Sequence, residues 1–349
     1  MNILTIGDKE LGEDQPCFII AEAGVNHNGD IKLAKRLIDV AIDAEADAIK
    51  FQTFRADAVV TYTAEKAAYQ KETTTSEESQ YEMIKQLELT YPEFRELYDY
   101  AMSKEIIILS TPFDEESVEF LDQLGVSAFK IPSGEITNVL LLKKIAETKK
   151  PIILSTGMAT LGEVEEAVLY LRQHGAQEII LLHCTTSYPA PIHSVNLCAI
   201  ETMSCAFKVP VGYSDHTEGI TIPIAAAAMG AKVIEKHFTL DRSLPGPDHQ
   251  ASLEPDELKA MVQAIRDVER AFGDGVKLPC EEEMAIKNVA RRSIVAKIDI
   301  LGGALIQSED LAIKRPGTGI EPKYLDVLIG KKARKVIAKD QVFNWDLVE

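Results

Sequence analysis

Two short apolar runs, VPVGYSDH and KVIEKHFT, each open at the C-terminal end into a polar cluster holding a histidine, His216 in one and His237 in the other. Both runs read as buried strands. Between them, ITIPIAAAAMG is a small-residue segment closed by Gly and long enough for a crossover helix, so the strands are expected to be parallel neighbours in a βαβ unit. The pair admits two readings: each imidazole caps its own strand, or the two share a ligand or a metal ion.

The elements that would position them recur along the chain. CFIIAEAG, AIKFQT, IIILSTP, AFKIPSGE, PIILSTGM and EIILLHCT each read as a strand followed by a helix-like run. With the two histidine-bearing strands they make eight units between Cys17 and Gly273, closed by EPDELKAMVQAIRDVERAFG. Such alternation calls for a parallel sheet, and eight units of this size fit an α/β fold of the (β/α)8 TIM-barrel type. No G-x-G-x-x-G appears, which disfavours a doubly wound open sheet. The segment from about Phe54 to Tyr91 reads as long and polar, and MNILTIGDKELGEDQP as a polar leader.

In a barrel the C-terminal strand ends share one face, and active sites lie there. Those ends carry Glu22 and Asn26, Lys50 and Gln52, Ser110 and Thr111, Lys130 with Ser133 and Glu135, Ser155, Thr186 and Tyr188, Ser214 to His216, and Lys236 with His237. Lys50 and Lys130 follow apolar residues, where an unpaired ammonium costs several kcal/mol. Either a phosphate or carboxylate ligand completes them, with hydroxyls of Ser133, Ser155 and Ser214 as further donors, or Glu22 or Glu135 forms a salt bridge. Two imidazoles without a nearby thiolate leave coordination positions for substrate oxygen and water, which suits a catalytic divalent ion over a structural one.

Composition narrows the classes. The chain has 349 residues, 46% hydrophobic and 26% charged, and reads as a globular protein with an ordinary core. Its net charge of −18 argues against nucleic acid or an anionic membrane as main partner. The N-terminus lacks a signal-peptide pattern and no apolar run spans a bilayer, so a cytoplasmic location is expected. Five unpatterned cysteines point to reduced thiols over disulfides or zinc. Residues 1–273 are read as the barrel, 274–289 as a charged linker, and 290–349 as a small β-rich domain, marginal alone, whose IKRPGTGIEP loop presents Arg315.

The combination IIAEAGVNHNGD, IKFQTF, LSTPFD, KIPSGE, ILSTGM, LHCTTSYPAP, GYSDHTEG, EKHFTLDRSLPGPDH and KRPGTGI resembles the bacterial sialic acid (N-acetylneuraminate) synthases and their relatives, the legionaminic acid synthases. The resemblance covers nearly the whole chain. It implies a TIM barrel with a C-terminal antifreeze-like (SAF) domain, a domain-swapped homodimer, and Mn2+- or Mg2+-dependent condensation of phosphoenolpyruvate with N-acetylmannosamine, releasing phosphate. The legionaminic alternative uses 2,4-diacetamido-2,4,6-trideoxymannose. By resemblance His216 and His237 would be metal ligands, and Lys50, Thr111, Lys130, Ser133, Ser155 and Ser214 would hold phosphoenolpyruvate. Glu22, Gln52, Tyr188 and Asp248 would contact the sugar, Glu135 would serve acid/base chemistry, and Arg315 would reach the N-acyl group from the partner subunit. Some members have Asn where this chain has Thr186, which leaves the sugar open between the two branches.

Overall fold

The computed structural model describes residues 3–66, 70–71, 74 and 78–349, which form two compact units, Met1–Phe272 and Gly273–Glu349. In the first, β1 (Leu4–Ile6) and β2 (Lys9–Leu11) pair antiparallel. The strands β3 (Phe18–Gly24), β4 (Ala48–Thr53), β5 (Ile107–Pro112), β6 (Phe129–Ile131), β7 (Ile152–Ser155), β8 (Ile179–Cys184), β9 (Val211–Asp215) and β10 (Val233–His237) then pair in parallel, each with its sequence neighbour. β10 returns to β3 and closes the barrel. The (β/α)8 architecture read from the alternation is the one observed.

Period-two alternation decides what each strand shows to each side. Ile19, Ala21, Ile49, Phe51, Ile108, Phe129, Ile131, Ile152, Leu154, Ile179, Leu181, Tyr213 and Ile234 join the helices in one large core. Phe18, Ile20, Ala48, Leu109, Ala128, Ile153, Ile180, Leu182 and Val233 form a separate core inside the barrel. Leu4, Ile6 and Leu11 belong to this inner cluster. The segment read as a polar leader is therefore a hairpin that plugs the barrel floor; its acids and exposed Thr5 masked the alternating Leu and Ile.

The connecting helices start where local chemistry dictates. Asp30 accepts from the backbone N–H of Lys32 at 2.7 Å to cap Ile31–Asp43. Thr90 with Glu93, and Thr160 with Glu163, make capping boxes for Tyr91–Ser103 and Leu161–Gln173. Thr221–Ala228 is the crossover expected between the histidine-bearing strands. The stretch read as polar carries helices Ala56–Val59 and Gln80–Leu87, the second opened by a Ser79–Glu82 capping box. Part of that reading, 67–69, 72–73 and 75–77, lies outside the described residues. Val25, Phe54, Met83 and Leu87, with Val59, Ile84 and Phe113 against them, make a small apolar cluster of their own.

The second unit holds the antiparallel pair β11 (Ser293–Ala296) and β12 (Leu311–Lys314) around Ile294, Ile300, Ile306, Leu328, Ile337 and Phe343. The stretch read as a linker contains a helix, Glu281–Ala290, whose first turn of three glutamates favours the helix N-terminus. All five cysteines are free; Cys17 and Cys184 are buried and the other three exposed. Among the described residues no helix is long and apolar enough to cross a membrane.

Two buried histidines tie loop to barrel in neutral form. His27 Nδ1 accepts from the Gly29 N–H at 3.0 Å, and His249 bridges Thr239 Oγ1 (2.6 Å) and Asn28 Oδ1 (3.2 Å). Burial lowers each imidazole to about 4, whereas in the unfolded chain both protonate near 6.5. The stabilisation is thus complete above pH 6.5 and is lost as pH falls toward 4. Urea unfolding should show stability dropping across that window by on the order of 2 kcal/mol for each histidine, with a shallower slope in His249→Gln; an unchanged slope would contradict the assignment.

Candidate active site

The same alternation that builds the inner apolar core carries on upward into polar residues. In β3 the inward row Phe18, Ile20 continues as Glu22; in β4 Ala48 is followed by Lys50 and Gln52; in β6 Lys130 follows Ala128. β7 contributes Ser155, β9 Ser214, and β10 Glu235 and His237. Lys236, between the last two, turns the other way and pairs with Asp215 at 2.6 Å while donating to the Thr217 carbonyl.

The buried groups form one connected network. Lys50 Nζ lies 2.6 Å from Glu22 Oε2 and 3.7 Å from Glu235 Oε2, and donates to Thr111 Oγ1 at 3.1 Å. Lys130 Nζ donates to Ser155 Oγ at 2.7 Å and lies 3.6 Å from Glu235 Oε1, which accepts from Ser214 Oγ at 2.8 Å. Burial opposes charge on Glu235, but the Lys130 and Lys50 ammonium groups, with the Ser214 hydroxyl, outweigh it and hold the carboxyl at about 2. Glu22 goes the other way. Burial pushes it up to about 7, with Glu235 adding to the push and Lys50 opposing it. Burial also lowers the Lys130 ammonium against the pull of Glu235.

Of the two partners the sequence left open for the lysines, Glu22 is the one that pairs. Glu135 sits half-buried in the single 3-10 turn Ser133–Glu135 after β6 and accepts from Asn138 Nδ2 at 2.7 Å; among the described residues it makes no ion pair. Glu235 is absent from the residues the sequence singles out: in KVIEKH the polar residues Glu235, Lys236 and His237 are consecutive, and the barrel puts Glu235 on the same side as His237 and Lys236 on the other.

His216 and His237 close the ring, with centroids 5.6 Å apart and the Tyr188 ring 4.2 Å from that of His216. His216 Nδ1 is 2.8 Å from the Thr185 carbonyl, so that nitrogen carries the proton and Nε2 keeps its lone pair. His237 Nδ1 is buried without a hydrogen-bond partner. Burial holds both imidazoles below their usual range and keeps them neutral. Neutral rings, one oriented by a carbonyl and one with an orphaned nitrogen, are the donor chemistry a divalent ion uses. No group of three or more His, Cys, Asp or Glu suited to a metal occurs among the described residues, so the pair would leave the remaining positions to oxygen from substrate and water.

Outside this network Gln52, Tyr188, His237 and Asp248 line a cavity of about 250 Å3 together with the apolar side chains Val25, Phe54, Val59, Met83, Ile84, Leu87 and Phe113. The loop carrying Asp248 is fastened to the first strand's loop. Ser252 Oγ donates to the Asp248 carbonyl at 2.7 Å, Asn26 Nδ2 donates to Ser252 Oγ at 3.0 Å and to the Phe238 carbonyl at 2.8 Å, and Asn28 Nδ2 donates to the Pro245 carbonyl at 2.8 Å. Gly246, at φ +148°, fits because a Cβ there would meet His249 and Asn28 at 2.7 and 2.9 Å. Ser133 Oγ accepts from the Gly157 N–H at 2.9 Å, and a Cβ on Gly157 would strike Thr186 Oγ1 at 2.2 Å, so only glycine fits between Ser133, Cys184 and Thr186. Arg315 belongs to the second unit, where it is exposed and donates from Nε to the Ala290 carbonyl at 3.0 Å.

A closed parallel barrel with buried lysines, carboxylates and two neighbouring imidazoles at its C-terminal mouth places these groups where enzymes of this fold carry their active sites. The chain belongs to the NeuB family, whose model matches residues 37–277; the SAF domain model matches residues 291–349. The chain is 53% identical to the N,N'-diacetyllegionaminic acid synthase of Campylobacter jejuni, over 94% of this chain and 98% of that protein. It is 48% identical to the synthase of the same name from Legionella pneumophila, over 98% of each. The crystal structure of N-acetylneuraminic acid (sialic acid) synthetase from Leptospira borgpetersenii superposes with a TM-score of 0.72 at 38% identity, covering 82% of this chain and 95% of that one.

Removing the negative charge between the two lysines should be costly. Glu235→Gln is expected to lose about 3 kcal/mol in urea unfolding, while Glu135→Gln, whose carboxylate faces no lysine, should lose less than about 1 kcal/mol. Equal effects would contradict the network as drawn.

Proposed function

We propose that this protein condenses phosphoenolpyruvate with 2,4-diacetamido-2,4,6-trideoxymannose, giving N,N'-diacetyllegionaminic acid and phosphate. The sequence alone put N-acetylmannosamine first. What moves the reading to the diacetamido sugar is that two relatives named as legionaminic acid synthases resemble this chain more closely, over nearly its full length, than the sialic acid synthetase does.

The proposed chemistry follows from the site. Lys50 and Lys130, with hydroxyls of Thr111, Ser133, Ser155 and Ser214, hold the phosphate and carboxylate of phosphoenolpyruvate in a water-poor pocket where charge-assisted hydrogen bonds are strong. Gln52, Tyr188 and Asp248 hold the sugar, and Arg315 is assigned to its N-acyl group from a partner subunit. His216 and His237 would hold Mn2+ or Mg2+, which when bound supplies Lewis-acid polarisation of the sugar aldehyde. The C2–C3 π pair of phosphoenolpyruvate forms the new C–C bond to the aldehyde carbon while the C=O π pair moves onto the aldehyde oxygen, which takes up a proton to become the product hydroxyl, and the positive charge left at C2 is balanced by the adjacent phosphate and by carboxylates. Water adds at C2 with loss of a proton, for which Glu135 is assigned as acceptor. The tetrahedral intermediate then breaks its C–O bond, and phosphate departs with the bridging oxygen.

Phosphate release from phosphoenolpyruvate in the presence of Mn2+ tests the reading. The diacetamido sugar should give a kcat/KM at least about tenfold above N-acetylmannosamine; preference for N-acetylmannosamine would overturn the substrate assignment. Glu135→Gln should lower kcat about 100-fold or more, and unchanged turnover would remove Glu135 from its role.

Asp248 gives a pH signature. It is half-buried, and desolvation pushes its carboxyl up to about 6. The ionised form is the acceptor a sugar N–H or O–H needs, so KM for the sugar should rise several-fold as pH falls from 7.5 to 5.5. In Asp248→Asn that rise should vanish, and a persistent rise would place the titrating group elsewhere.

A further inference from the structure

The cavity beside His237 has two kinds of lining. Gln52, Gln70, Tyr188, His237 and Asp248 supply its polar lining, and Val25, Phe54, Val59, Met83, Ile84 and Phe113 make an apolar wall. Apolar lining is ordinary in ligand cavities, and here it offers a surface on which a ligand's apolar groups can be removed from water. Of that wall, Val59, Met83 and Ile84 come from the inserted helices Ala56–Val59 and Gln80–Leu87, while Val25, Phe54 and Phe113 directly follow β3, β4 and β5; together they pack into a cluster separate from the barrel cores. Met83 and Leu87, four residues apart, fix the second helix against Phe54 and Val25, leaving the half-buried Val59 and Ile84 as adjustable lining.

We infer that Val59 and Ile84 are specificity-determining residues, selecting a sugar whose far end carries a C6 methyl and an acylated nitrogen over one carrying hydroxyls. This rests on the substrate reading above. With the aldehyde carbon at His237, the far end of the open-chain sugar points away from the phosphoenolpyruvate pocket, toward the inserted helices. A methyl group there is removed from water, whereas a hydroxyl loses its water partners and finds none on Val, Ile, Met or Phe. An apolar wall discriminates between such groups by roughly 10- to 100-fold, with no repulsive element needed.

The test uses the full chain with Mn2+, phosphoenolpyruvate and three sugars: the diacetamido trideoxy sugar, N-acetylmannosamine, and 6-deoxy-N-acetylmannosamine, which isolates the C6 group. In the wild type kcat/KM should rise at least about tenfold from N-acetylmannosamine to its 6-deoxy analogue. Val59→Thr, which keeps shape and adds a hydroxyl, and Ile84→Thr should each shrink that ratio at least about threefold through KM for the sugar, with KM for phosphoenolpyruvate unchanged. Val59→Leu, which stays apolar, should keep the ratio and so separates polarity from loss of structure. If the wild type prefers the deoxy sugars but neither threonine variant alters the ratio, the wall is not the selector while the substrate reading stands. If the wild type prefers N-acetylmannosamine over its 6-deoxy analogue, both the selector and the substrate reading fall.

Discussion

Glu235 lies buried within 4 Å of two ammonium groups, and the interior of the barrel mouth depends on that arrangement. A lone buried lysine would lose its proton or stay out of the core. Two of them beside each other would also repel. One carboxylate reaching both, with Glu22 closing on Lys50 from the neighbouring strand β3, lets four charged groups remain where the strands have no solvent. The ammonium groups are then held in place by partners on strands β3, β10 and β7 rather than by their own flexible stems.

The fold supplies this by simple means. Closing eight parallel strands makes an interior that each strand enters at every second residue. The lower positions are Phe, Ile, Leu, Val and Ala, sealed below by the β1–β2 hairpin, and the upper positions are Lys, Glu, Ser, Thr and His. The apolar floor does more than stabilise. By excluding water from beneath the lysines it strengthens every charge interaction above it. Farther out polarity falls again at the inserted helices, so the proposed substrates would meet charge first at the enolpyruvyl end and apolar surface last at the sugar's far end.

Much of this was legible in the sequence, for a physical reason. βα alternation with short connections leaves few architectures open, and a strand buried on both faces has to announce its inward polar residues against an apolar background. Lys50, Lys130, His216 and His237 stood out that way. Glu235 did not, since it sits beside Lys236 in a run of three polar residues whose parity only the barrel's handedness of facing resolves. The hairpin plug was hidden because three-residue strands give too short a period to read. The apolar wall was hidden because Met83, Ile84 and Leu87 are scattered in a segment whose average composition is polar. Family resemblance put N-acetylmannosamine first, whereas two relatives at 53% and 48% identity are named as legionaminic acid synthases.

The most direct test of the central claim is a crystal structure of the protein with phosphoenolpyruvate and Mn2+ bound. Phosphate or carboxylate oxygens of the ligand are expected within hydrogen-bond distance of both Lys50 and Lys130 Nζ, with Glu235 still between them and the metal on His216 and His237. Phosphoenolpyruvate bound away from these lysines, or a metal held by other residues, would contradict it.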